Sequence, residues 1–114
     1  MNVKYYKDVE EEVVTKANST KTTIRWLITK EDGPMHFATR RFKIKPGGKI
    51  GIHNHKEEHH IYVLEGQAEF LDDKGNKHQV RKDNTIFIPP NEKHGINNNQ
   101  DTNFIFICII PYLE

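Results

Sequence analysis

The stretch Gly47-Gly48-Lys49-Ile50-Gly51-Ile52-His53-Asn54-His55-Lys56-Glu57-Glu58-His59-His60-Ile61-Tyr62-Val63-Leu64-Glu65-Gly66 decides how this chain is read. Side chains two apart on a strand point to the same face, so His53 and His55 aim the same way from one strand. The segment Lys56-Glu57-Glu58 reads as a turn, after which a second strand brings His59 beside them. A fourth histidine, His94, closes the run Pro89-Pro90-Asn91-Glu92-Lys93-His94 and has to arrive from a distant strand. That non-local ligand separates a preformed barrel site from a zinc knuckle, which is built on local cysteine or histidine pairs. Imidazole is the commonest ligand for divalent transition metals, and four of them leave up to two places open on a six-coordinate ion. A shorter register would put Glu57 or Glu58 in place of His59. His60 falls on the opposite strand face from His59, and His36 and His78 match no part of the pattern, so these three stand outside the ligand set.

Outward from this stretch the apolar period is two. Alternating runs occupy residues 22–29, 37–45, 49–55, 60–70, 77–81, 84–88 and 102–110. Turn chemistry separates them: Glu31-Asp32-Gly33-Pro34, Pro46-Gly47-Gly48, Asp72-Asp73-Lys74-Gly75-Asn76, Pro89-Pro90-Asn91 and Asn97-Asn98-Asn99-Gln100-Asp101. Many short strands and no convincing helix predict an all-β sandwich or barrel. No internal repeat or linker interrupts it. Residues 1–21, with Glu10-Glu11-Glu12 and little alternation, read as an N-terminal arm, and residues 22–114 as the barrel domain.

Composition limits the function. A chain of 114 residues that is 35% hydrophobic supports one domain and one core. Seventeen basic against sixteen acidic residues give a net charge of +1, which is no nucleic-acid footprint. The single cysteine excludes an intramolecular disulfide, and the absence of an apolar N-terminal h-region argues against secretion, so a cytoplasmic protein is the expectation. The longest apolar run, 104–111, is strand length, well short of the ~20 residues of a membrane helix, and predicts no membrane partner.

The spacing of the two histidine segments resembles the paired motifs of the cupins. From Gly47, five residues lead to His53, one to His55, three to His59 and six to Gly66, with His59 where the first motif usually carries glutamate. Pro89, His94 and Asn98 meet the second motif, with Asp83 and Asn91 in place of its two glycines. Asparagine and aspartate tolerate positive φ better than other non-glycine residues, so these exchanges are mild. Together with Lys45-Pro46-Gly47-Gly48 and Phe106-Ile107-Cys108-Ile109-Ile110-Pro111, the chain from about residue 23 onward is similar to small single-domain manganese cupins with four histidine ligands. The resemblance implies a jelly-roll barrel and one divalent ion on His53, His55, His59 and His94. It also implies manganese or iron in function, with zinc, nickel or copper possible as purified, and a homodimer, to which the arm could contribute an exchanged strand. It points to dioxygenase-like oxidation or oxidative cleavage of a small organic substrate, with a sensor or binding module and a metal-dependent isomerase as the alternatives on the same fold.

Parity extends the pocket. Arg40, Phe42 and Ile44 share one strand face, and Phe104, Phe106, Cys108 and Ile110 another. An arginine among apolar residues is costly unless paired, so Arg40 meets a substrate anion, a carboxylate or a carbonyl, or else snorkels to solvent at an edge. In the resembling cupins the positions of Phe106 and Cys108 lie near the metal, which places Arg40, Phe104, Phe106 and Cys108 in the expected substrate pocket. Base rates favour a core role for a free cysteine, and Trp26 is expected in the core.

Overall fold

Pro46, Gly47 and Gly48 lie inside a strand, not between two. The computed structural model describes residues 1–34 and 36–113. In chain order the strands are β1 (Glu12–Val13), β2 (Thr20–Ile28), β3 (Phe37–His53), β4 (His59–Glu65), β5 (Gln67–Leu71), β6 (Lys77–Arg81), β7 (Thr85–Ile88), β8 (His94–Asn97) and β9 (Phe104–Pro111). Three single 3-10 turns, Tyr6–Asp8, Lys16–Asn18 and Lys30–Asp32, complete the elements, with no α-helix among the described residues. None of them is a helix long and apolar enough to cross a membrane.

β3 unites two runs that the alternation predicts separately. Gly47 takes φ +80°, a region glycine enters without steric cost, and the strand bends there. Its first half pairs with β2 and β9, its second with β8, all antiparallel. One sheet therefore runs β1-β2-β3-β9-β4-β7 and the other β3-β8-β5-β6, folded into a curled jelly-roll half-barrel. Inward residues alternate along β3 and β9, and the fully buried Ile44, Val63, Phe104 and Phe106 fill the space between the sheets. Phe42 stacks on Phe106 with ring centroids 5.0 Å apart.

Two boundaries differ from the sequence expectation. The run 60–70 is cut at Gly66, where φ is +80° and an added Cβ would fall on the Asn103 carbonyl. β8 escapes the alternation because only four residues, one of them Gly95, follow a proline-rich turn. Asp83 and Asn91 do adopt positive φ, 70° and 66°, as their motif positions require. Buried Asn98 ties the β3 corner to the β8–β9 loop, its amide donating to the Ile44 and Thr102 carbonyls. The N-terminal segment pairs through β1 with the chain's own β2. Its Lys16–Asn18 turn lies so close to β3 that a Cβ at Gly51 would meet the Ala17 carbonyl.

Candidate metal centre

Strand register assembles the site from three places. His53 at the end of β3 is the cross-strand partner of His94 at the start of β8. His55 follows two residues after His53, and β4 opens on His59. Ring centroids stand 4.5 Å apart for His53 and His94, 4.5 Å for His55 and His59, and 5.1 Å for His59 and His94, so the four imidazoles are neighbours in one cluster. Donor atoms of His53, His55 and His94 all lie within 4.8 Å of one another. Nitrogens on one ion at ~2.0–2.1 Å are separated by about 3 Å when adjacent and about 4 Å when opposite, so the three-histidine cluster suggests a metal site.

Backbone carbonyls fix three of the rings. Nδ1 of His53 donates to the Gly51 carbonyl at 2.8 Å, that of His55 to Glu57 at 2.9 Å and that of His94 to Glu92 at 2.8 Å. A carbonyl only accepts, so each Nδ1 carries the proton and each Nε2 presents its lone pair to the centre. Such outer contacts orient metal-ligating histidines. Burial pushes His94 down to about 4 and His59 to about 2, and lowers His55 as well, because a charged ring would lose its water. His55, His59 and His94 are thus neutral, the form a metal requires, at pH 7.

His59 differs. It is buried, and its Nε2 sits 2.7 Å from His55 Nε2, while its Nδ1 lies 2.8 Å from Cys108 Sγ and 3.2 Å from an Arg40 Nη2. Arg40 and Cys108 face each other across β3 and β9, and the guanidinium reaches the sulfur at 3.0 Å. Arg40 is only 8% exposed and lies over the rings of Trp26 and Phe42, and among the described residues no carboxylate pairs with it. Its Nε is buried without a hydrogen-bond partner. Burial raises the Cys108 thiol against the opposing pull of Arg40, which keeps it protonated.

A cavity of about 440 Å³ opens on this cluster. The four histidines, Arg40, Phe106 and Cys108 line it, as does Glu57, whose carboxylate lies 3.7 Å from His55 Nδ1. Glu58 instead pairs with exposed His60 outside the barrel, and His78 pairs with Asp72. Phe104 does not line the cavity. It shares a face with Cys108 but stands four residues along β9, about 13 Å at strand rise, packed on Phe70 and Phe106 near the β3 corner. Trp26 is not core either: it is 37% exposed and forms part of the cavity wall. Sequence reasoning missed Ile24 and Phe42 as wall residues, although strand parity with Trp26 and Arg40 signals both. It also missed residues 13–17 of the arm at the cavity, for which no periodic signal exists.

Comparison with known proteins bears on this geometry. The family model described as a cupin domain matches residues 40–110. An oxalate-binding protein of Thermotoga maritima is 33% identical over 91 residues, covering 76% of this chain and 73% of that protein. The polyketide cyclase RemF of Streptomyces resistomycificus superposes with a TM-score of 0.92 at 34% identity, over 97% of this chain and 79% of that one. A predicted oxalate decarboxylase of Thermotoga maritima has a TM-score of 0.87 over 98% of this chain and 100% of that one; at 24% identity, this likeness concerns the fold.

Proposed function

This chain belongs to the cupin family, and on that premise we propose that it is a metal-dependent enzyme acting on a small organic anion bound through oxygen. One observation carries the reading: three imidazoles, each locked by a backbone carbonyl, bring ligand nitrogens within 4.8 Å of one another in the wall of a cavity. His53, His55 and His94 would hold a divalent ion there, with His59 as a fourth ligand. When bound, the ion supplies Lewis acidity, stabilising negative charge that develops on a substrate oxygen.

The chain's own residues select the substrate. Neutral imidazoles leave the ion's charge uncompensated, and the Arg40 guanidinium, with no carboxylate partner among the described residues, adds another positive group in the same cavity, which favours an anion. Trp26, Phe42 and Phe106 offer a flat apolar wall for an unsaturated or aromatic skeleton. A polyketide and an oxalate, named in two similar proteins, are both oxygen-rich molecules able to place an oxygen anion on a metal.

Dioxygenase-like oxidation with manganese or iron is the second reading, favoured by the histidine that stands in the usual glutamate position of the first motif. Metal exchange separates the two. Zinc, manganese and iron forms are assayed against enolisable dicarbonyls, dicarboxylates and catechols, in air and without oxygen. Turnover by the zinc form without oxygen supports the Lewis-acid reading. Turnover confined to manganese or iron in air replaces it with the oxidative one, and tight binding without turnover replaces both with a binding module.

A further inference from the structure

Three of the four rings take their orientation from carbonyls, but His59 takes its own from side chains. The His55 Nδ1 proton is committed to the Glu57 carbonyl, so His55 Nε2 bears a lone pair. His59 Nε2 lies 2.7 Å from it, close to the spacing of adjacent nitrogens on one ion. Its Nδ1 faces an Arg40 N–H at 3.2 Å and the Cys108 sulfur at 2.8 Å.

For His59 to ligate through Nε2 as a neutral imidazole, its proton has to sit on Nδ1. A proton on Nδ1 needs an acceptor, and a guanidinium has none. Among the described residues, Cys108 Sγ is the remaining polar atom bonded to this nitrogen: its S–H turns away, a sulfur lone pair accepts, and an Arg40 N–H at 3.0 Å steadies the same sulfur. Among the described residues no carboxylate pairs with this buried guanidinium, and holding the sulfur gives its N–H groups a partner.

We propose, building on the metal-binding reading above, that Cys108, aligned by Arg40, is the positioning residue that admits His59 as fourth ligand. Without the sulfur, Nδ1 faces only a donor and His59 stays off the ion. The centre then holds three histidines and one more open place for substrate.

Histidine tautomers are read directly by long-range proton–nitrogen correlation on labelled protein, with zinc as the probe ion. Zinc-loaded wild type is expected to show all four Nε2 signals shifted, with His59 in the Nδ1–H form. In Cys108→Ala and in Cys108→Val, which refills the lost volume, zinc should move three rings only, with affinity about 10- to 100-fold weaker. Cys108→Ser, whose hydroxyl accepts, should bring His59 back. Four zinc-bound rings and unchanged affinity in Cys108→Val overturn the proposal. Zinc held by three rings in wild type and variants alike sinks it while leaving metal binding intact. Wild type that takes up no zinc sinks both.

Discussion

Acidifying the metal-free protein should destabilise it well above the range in which carboxylates titrate. His59 and His94 are 7% and 6% exposed, and burial holds them at about 2 and about 4, both below the ~6.5 of an unfolded histidine. Below that value the unfolded chain takes up protons that the fold refuses, so stability is complete above pH ~6.5 and declines as pH falls. Each ring contributes at most about 1.4 kcal/mol per pH unit, so from pH 6.5 to pH 5 the two together remove up to about 4 kcal/mol. Against the ~5–15 kcal/mol of a typical domain this is a large fraction. His55, also lowered, adds in the same direction. Asp72, held at about 2 chiefly by its hydrogen bond with His78, acts only below this window. Urea unfolding of metal-free protein at pH 7.5, 6 and 5 measures the slope, and His94→Gln should reduce it. Stability that stays flat across this range, or a slope indifferent to His94→Gln, would refute the assignment of buried neutral rings.

Imidazole ligands follow the Irving–Williams order, so nickel, zinc or copper should displace manganese in a competition dialysis; tighter manganese binding would overturn this. Gly51→Ala should push the Ala17 turn off β3, costing about 1–3 kcal/mol and exposing residues 10–19 to limited proteolysis, with an unchanged cleavage pattern as the contrary result. Phe104→Ala should cost about 3–5 kcal/mol in thermal or urea unfolding yet leave zinc stoichiometry intact, since Phe104 is core. Trp26→Ala should do the reverse, costing less stability but weakening any ligand that binds the cavity, as calorimetry would report.

Local chemistry is what a sequence displays, and the legible parts follow from it. The His53–His55 spacing, the turn before His59 and the positive φ at Asp83 and Asn91 are each set by neighbours a few residues away. Inward parity of Arg40, Phe106 and Cys108 was legible for the same reason. Parity gives a face but no depth, which is why Phe104 was expected at the cavity and lies about 13 Å from Cys108 along the strand. Bulk suggests burial for Trp26, yet β2 lies toward the edge of its sheet, and the two-residue β1 pairs with Thr23 and Ile24 and stops short of Trp26. The continuity of β3 through Pro46-Gly47-Gly48 was hidden because a turn signature also serves a bend within a strand. The contact of Arg40, Cys108 and His59 depends on the register among β3, β9 and β4, which no local pattern specifies.

If imidazole nitrogens, and not carboxylates, hold a divalent ion in this cavity, X-ray absorption at the zinc edge of stoichiometrically loaded protein reads them out. One zinc per chain with at least three imidazole nitrogens at ~2.0–2.1 Å is expected, and His53→Ala should lose that signature. A shell dominated by carboxylate oxygens, or zinc that binds His53→Ala as tightly as wild type, would rule out the histidine centre.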